Sequence, residues 1–341
     1  MGLRIEEFDY TLPKELIAQH PEDERASSRL LVLNREKRTV EHRYFKDVKD
    51  YFRPGDVLVL NDTRVFPARI AAVKPTGGRV EILMVEELTR TTWSCLAKGL
   101  KKGVVEQEIK VGTVSATVRY AGDTWEISFP EEVNVRDVLD KYGRMPLPPY
   151  IKREKNGYDS SDFDRYQTVY AERLGSIAAP TAGLHFTGEL LRDLTEQGVI
   201  IANITLHIGI GTFFLIKKET VEDHQMHREW YNIERGTAEA IQTARAAGGR
   251  VIAVGTSAVR TLETFFSKGD GAESGYSDLF IYPGYRFKAV DILLTNFHLP
   301  RSTPLLLTSA FAGKENLLSS YAVAIEKGYR FYSYGDAMLI Q

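Results

Sequence analysis

The chain is poor in cysteine, in long apolar runs and in excess charge of either sign. One cysteine, Cys95, in 341 residues leaves no pair for a disulfide and no cysteine-based zinc set. It falls in an alternating strand pattern and reads as a buried structural thiol rather than a nucleophile. No apolar run approaches the roughly 20 residues that span a bilayer, so no membrane partner is expected. The N-terminus, MGLRIEEFDY, carries acids where a signal peptide would be uninterruptedly apolar, and the expected compartment is the cytoplasm. A formal net charge of −2 argues against holding nucleic acid by charge alone. Local basic groups remain at Lys98, Lys101 and Lys102, and at Arg144, Lys152, Arg153 and Lys155. With 43% hydrophobic and 26% charged residues, the chain is otherwise an ordinary globular one, long enough for about two domains.

From about Ala68 to Pro130 the pattern has period two. Val114, Ala116, Val118 and Tyr120 alternate with Ser115, Thr117 and Arg119, and Trp125, Ile127 and Phe129 with Thr124, Glu126 and Ser128. Such alternation marks half-buried antiparallel strands. The breaks are turn chemistry: Thr76-Gly77-Gly78, Gly112-Thr113 and Ala121-Gly122-Asp123. Five or six short strands with tight turns predict a small closed β-barrel, followed by a helix over Val135 to Tyr142 and a Pro-rich stretch, Met145 to Ile151.

The flanks read differently. Val57 to Leu60 is a short apolar strand ending in Asn61-Asp62-Thr63-Arg64. Beyond residue 175 strands and helices alternate. Thr187 caps a helix from Gly188 to Gln197 that Gly198 stops, and the strand Val199 to Leu206 follows. A helix over Thr237 to Ala247, the strand Arg250 to Val254 and a helix over Thr256 to Phe266 come next. Strands at Leu279 to Tyr282 and Ile292 to Thr295, then helices near Thr303 to Phe311 and Leu317 to Lys327, complete the series. The expected fold is α/β: a discontinuous α/β domain, residues 1–67 and 150–341, with an inserted small antiparallel β-barrel domain, 68–149. The polar segment Glu154 to Asp164 is expected to be a mobile loop.

Three segments place a histidine beside an apolar run: APTAGLHFT with His185, TLHIGIGTF with His207, and TNFHLP with His298. Asp62, His207, Gly255 to Ser257 and His298 fall at the C-terminal ends of predicted strands, the edge where open parallel sheets bind ligands. Free N–H groups at Gly255-Thr256-Ser257 suit a carboxylate or phosphate, although a plain capped turn has the same pattern. Gly209 and Gly211 permit close backbone approach to a ligand, or mark a bulged strand. His224 and His227, spaced HxxH with Glu229 nearby, lack the further ligands a metal would need, so no metal is expected. No nucleophile elbow is present.

Long irregular strings carry a resemblance. They include FDYTLPKELIAQHP from Phe8, VLNDTRVFPAR from Val59, RYQTVYAERLGSIAAPTAGLHFT from Arg165, HQMHREWY from His224, VGTSAVRTLE from Val254 and FIYPGYRFKAVDILLTNFHLPRSTPLLLTSAFAG from Phe280. On these the chain resembles, nearly end to end, the S-adenosylmethionine:tRNA ribosyltransferase-isomerase family of queuosine biosynthesis. Ser257 stands where the family often has Thr, and Leu215-Ile216 where Pro-Val is usual. The resemblance implies S-adenosylmethionine (AdoMet) as ribosyl donor and tRNA carrying 7-aminomethyl-7-deazaguanine at the wobble position as acceptor. The products are epoxyqueuosine in tRNA, adenine and methionine. It implies no metal or prosthetic group, and an α/β fold with an inserted barrel.

That chemistry needs a base for the C5′ proton acidified by the sulfonium, a proton or hydrogen bond for departing adenine, and a neutral amine to attack. Groups titrating near neutrality suit these tasks. His185, His207 and His298 are the expected suppliers, with Asp62 as a further catalytic candidate and Asp336 as a secondary one. Arg64, Thr181, Gly209, Gly211, Thr212, Phe213, Gly255, Thr256, Ser257, Arg260 and Asp336 are expected to bind substrate. Phe186 and Tyr231 are candidate stacking partners for adenine, and Arg301 a further candidate for the methionine carboxylate or a phosphate. The acceptor base must leave the anticodon stack, and Lys101, Lys102, Lys152 and Arg153 are expected on the tRNA backbone. A monomer is expected. The rivals are a non-catalytic RNA-binding protein using the barrel as its platform, a conventional methyltransferase, whose glycine-rich loop is missing after Val59, and a metal-dependent hydrolase, whose activity a chelator would abolish.

Overall fold

Two kinds of strand sequence build two kinds of sheet. VLVLN, VIAV, ILLTN and AMLI are buried at every position, as strands covered on both faces must be. TWEIS alternates buried and partly exposed positions, as a barrel wall does. The computed structural model describes residues 2–102, 105–122, 124–153, 159–213, 215–267 and 273–341.

Strands β1 (Arg29–Asn34) and β2 (Thr39–Tyr44) form a hairpin ahead of β3 (Val57–Asn61) and the short β4 (Thr63–Val65). The barrel strands are β5 (Arg69–Val73), β6 (Arg79–Glu87), β7 (Thr92–Lys98), β8 (Glu106–Val111), β9 (Val114–Ala121) and β10 (Thr124–Ser128). They run in the order β5-β6-β7-β10-β9-β8, and Val73 pairing with Lys110 brings β8 back to β5 and closes the barrel. Ile82, Met84, Cys95, Val118 and Ile127 fill its interior, so the single thiol is structural, and burial pushes it up to about 12. Asn134 caps α1 (Val135–Tyr142), which packs Val138 and Leu139 on that core, and β11 (Gly143–Arg144) returns along β5.

The remaining elements rejoin the first sheet. After a helical turn α2 (Asp162–Arg165), β12 (Arg173–Ser176) pairs with β4. Thr187 Oγ1 accepts from the Leu190 N–H at 3.1 Å to start α3 (Gly188–Glu196), and Gly198, at φ +91°, turns the chain into β13 (Ile200–Leu206). Then come β14 (Glu229–Asn232), α4 (Arg235–Ala246), β15 (Val251–Val254), α5 (Gly255–Ser267), β16 (Ser274–Ser277), β17 (Ile292–Asn296), α6 (Thr303–Ala312), α7 (Lys314–Glu326) and β18 (Ala337–Ile340). The nine-stranded sheet has the order β16-β14-β13-β3-β15-β17-β18-β1-β2. Its centre, β13-β3-β15-β17, is parallel, while β18 runs antiparallel to β17 and parallel to β1. Among the described residues no helix is long and apolar enough to cross a membrane.

Two local expectations change. Leu279 to Tyr282 is irregular chain; the strand is the preceding Ser274–Ser277, and the Leu279 carbonyl instead accepts from Arg260. Strands β1, β2, β14 and β18 had no reading. Part of the segment expected as a mobile loop forms α2, where Asp162 meets Arg153; residues 154–158, Lys155 among them, lie outside the described ones.

Candidate active site

The four central parallel strands end side by side, and the residues that follow them define the site. Gly255, at φ +84°, turns directly from β15 into α5, so the first N–H groups of that helix face away from its own carbonyls. Together with Thr181, Gly211, Thr256, Ser257, Arg260, Asn296 and His298 it lines a narrow cavity of about 110 Å³.

His298 is half-buried here. Its Nε2 lies 2.8 Å from Thr295 Oγ1, its backbone N–H donates to Tyr321 Oη at 2.9 Å, and its carbonyl accepts from the Tyr10 hydroxyl. Nδ1 makes no hydrogen bond to the described residues. Burial pushes the imidazole down to about 3, well below the near-neutral range expected of it, so it is neutral at pH 7 and a weaker base than a solvated histidine.

His185 lies behind this wall, 4% exposed and stacked on Phe45 with centroids 4.9 Å apart. Asn296 Nδ2 meets its Nε2 at 3.1 Å, Ser28 Oγ meets its Nδ1 at 2.9 Å, and Thr181 Oγ1 donates to Asn296 Oδ1 at 2.9 Å. With Asn296 so oriented, Nε2 accepts and Nδ1 carries the proton. Burial, with the charges of Arg330 and Arg25, pushes His185 down to about 3. It does not line the cavity itself, and Asn296 links it to that wall.

A wider cleft of about 700 Å³ lies between barrel and sheet. Phe66, Trp93 and Arg136 line one side, and His207, Trp230 and Tyr276 the other. Ile208, Met226, His227 and Glu229 line both cleft and cavity. His207 Nδ1 is 2.8 Å from Thr63 Oγ1, and the ring lies on Trp230 at 4.9 Å and 24°. Burial, then the charge of Arg173, pushes it down to about 4. Glu229, 5% exposed, accepts from the Gly209 N–H at 2.8 Å and pairs with Arg260, which also donates to the Leu279 and Ser277 carbonyls.

The structure thus gathers Thr181, Gly211, Gly255, Thr256, Ser257, Arg260 and His298 at the cavity, and His207 and Gly209 at the cleft. Asp62 lines neither. It accepts from Thr205 Oγ1 at 2.6 Å, lies 4.0 Å from Arg173, and is raised by burial. Asp336 is buried against the Arg29 and Arg330 N–H groups at 3.0 and 2.8 Å and pairs with Arg29, which leaves it no face toward a ligand. Arg64 is exposed on β4, Arg301 pairs with Asp9, and Phe186 and Tyr231 are buried in the core. Thr212 and Phe213 belong to a 3-10 turn, Ile210–Phe213, and their side chains lie outside the described ones. Lys101, Lys102 and Lys152 are exposed. Arg153 is not a free cation: its side chain is 9% exposed and bonds both Asp162 oxygens, at 2.6 and 2.8 Å. Among the described residues no group of three or more His, Cys, Asp and Glu is placed to hold a metal ion.

The sequence pattern does not mark Glu229, Asn296, Trp93 or Trp230 for substrate, and the HxxH spacing leaves His227 open as a metal ligand, a structural residue or a substrate contact. The one sequence signal was HQMHREW, in which a glutamate and a tryptophan open a strand.

The fold is an α/β sheet with an inserted barrel, and its cavity lies at the parallel strand ends, the edge where α/β enzymes bind their ligands. The family model described as queuosine biosynthesis protein matches residues 5–340, and the chain belongs to that family. It is 51% identical to the S-adenosylmethionine:tRNA ribosyltransferase-isomerase of Moorella thermoacetica, covering 99% of this chain and 100% of the relative. It is 50% identical to the protein of the same name from Pelobacter propionicus, covering 99% of each. The crystal structure of S-adenosylmethionine tRNA ribosyltransferase from Thermotoga maritima is 37% identical, covers 98% of this chain and 100% of that one, and superposes with a TM-score of 0.57.

Proposed function

We propose that this chain transfers and isomerises the ribosyl group of AdoMet onto 7-aminomethyl-7-deazaguanine at the tRNA wobble position, giving epoxyqueuosine and releasing adenine and methionine. The observation that carries the reading is full-length identity of about half to proteins named for that reaction. The cavity supports it with suitable chemistry. The methionine carboxylate lies at the start of α5, where the N–H groups of Gly255 to Ser257 and the helix dipole favour an anion. Thr181 and Ser257 offer hydroxyls beside it.

His298 takes the C5′ proton through Nδ1, while its Nε2–H is held by Thr295. Its neutrality at pH 7 leaves that nitrogen free to accept. Arg260 has its charge met by Glu229, so it shapes the cavity rather than holding the carboxylate alone. His185 is a positioning residue: it fixes Asn296, whose Oδ1 fixes Thr181.

The test is product analysis. With AdoMet and tRNA carrying the aminomethyl base, adenine and methionine should appear in equal amounts. S-adenosylhomocysteine in their place would show methyl transfer, and no turnover of AdoMet would leave an RNA-binding protein.

A further inference from the structure

We infer that the cleft between barrel and sheet is the pocket for the acceptor nucleobase, drawn out of the RNA loop, with barrel carboxylates receiving its aminomethyl group. The inference rests on the reaction proposed above and assigns the acceptor a place within it.

Size comes first. At about 700 Å³ the cleft lies in the range of small-molecule sites. Its walls are aromatic: of the three tryptophans in the chain, Trp93 and Trp230 line it. Trp230 is backed by the His207 ring, and Trp93 stands edge-on to Phe66 with centroids 5.6 Å apart. Extruded bases are held by stacking on such faces and by hydrogen bonds along their edges. Trp93 is 6% exposed, yet its indole N–H is buried with no partner among the described residues.

Charge decides which base. Glu86 and Asp140 are exposed on the barrel side of the cleft and form no ion pair among the described residues, whereas Glu87 is matched by Arg136 at 3.0 Å. An alkylamine is a cation in solution, so these carboxylates favour a base bearing CH₂–NH₃⁺ over unmodified guanine, and one of them takes the ammonium proton before the neutral amine attacks. Phosphates find cations at the edge of the cleft: Arg228, itself part of the lining, lies over the exposed ring of Tyr276, and Arg64 pairs in register with Leu174 of the rim. The shared wall at Met226, His227 and Glu229 puts the acceptor next to the cavity assigned to AdoMet.

The experiment compares two anticodon stem-loop RNAs, one carrying 7-aminomethyl-7-deazaguanine and one carrying guanine at that position. Tryptophan fluorescence of the full chain is the readout. The modified RNA should bind wild type at least tenfold more tightly and quench the emission. In the double variant Glu86→Gln, Asp140→Asn, both at exposed positions, the preference should fall below threefold while AdoMet affinity stays within twofold. An undiminished preference in the double variant, or binding without a fluorescence change, overturns the pocket. Adenine release by wild type runs beside it: release with a failed preference test removes the pocket and leaves the reaction standing, and no release removes the reaction itself.

Discussion

Gly175 and His207 occupy one space: a Cβ at position 175 would stand 2.5 Å from His207 Nε2. The ring cannot swing freely, because Thr63 holds its Nδ1 and Trp230 lies under it. Gly175→Ala must therefore push the imidazole off Trp230. The expected result is a loss of adenine release of tenfold or more, with a melting temperature within a few degrees of wild type. His207→Ala should match it. Normal turnover in both variants would remove His207 from the reaction.

His298→Ala should lower kcat by about 10² to 10⁴, the usual worth of a positioned general base. AdoMet affinity, measured by calorimetry, should change only a few-fold. Its imidazole lies at about 3 and that of His207 at about 4. Neither gains a proton between pH 8 and about pH 5.5, so these two histidines should add no fall in kcat/KM for AdoMet over that interval. A fall centred near pH 6.5 would point to a solvated histidine instead.

Stability should depend on pH through the same burial. His185 and His298 sit at about 3 in the folded chain, against about 6.5 when unfolded. Between those values the unfolded state binds more protons. Stability is therefore full above about pH 6.5 and is lost as pH falls toward 3, by up to about 1.4 kcal/mol per pH unit for each histidine. Urea midpoints at pH 7, 6 and 5 would reveal the slope, and His185→Gln should flatten it.

Glu229→Gln leaves the Arg260 guanidinium, 10% exposed, without its counter-charge. Breaking such a pair from one side costs about 3–5 kcal/mol, while replacing both partners costs far less. Urea unfolding of Glu229→Gln should show that loss, and adding Arg260→Met should restore a good part of it. A single variant as stable as wild type would mean that the pair is well hydrated.

What could be read from the chain follows from how far apart the interacting residues are. The barrel strands were legible because alternation is local, and α3 because Thr187 and Gly198 mark its ends within a dozen residues. LLVL in β1 and AMLI in β18 are runs of four apolar residues, and the pairing that joins them spans some three hundred positions of sequence. The site shows the same division. Glycines and histidines at strand ends were readable as a group, since the parallel order places those ends together. Which charges are already met was not readable. Arg260 with Glu229, Arg153 with Asp162 and Asp336 with Arg29 are set by the fold, and a sequence shows only that each residue is ionisable.

The pairing of Leu30 with Ala337 also sets an order of assembly. The barrel is contiguous in sequence and closes on contacts among near neighbours, so it can form as soon as its own strands leave the ribosome. Strand β1 has to wait, with β2 on one side and its other edge open, until β18 is synthesised and threads between it and β17. The nascent chain thus carries an open sheet edge through most of its synthesis.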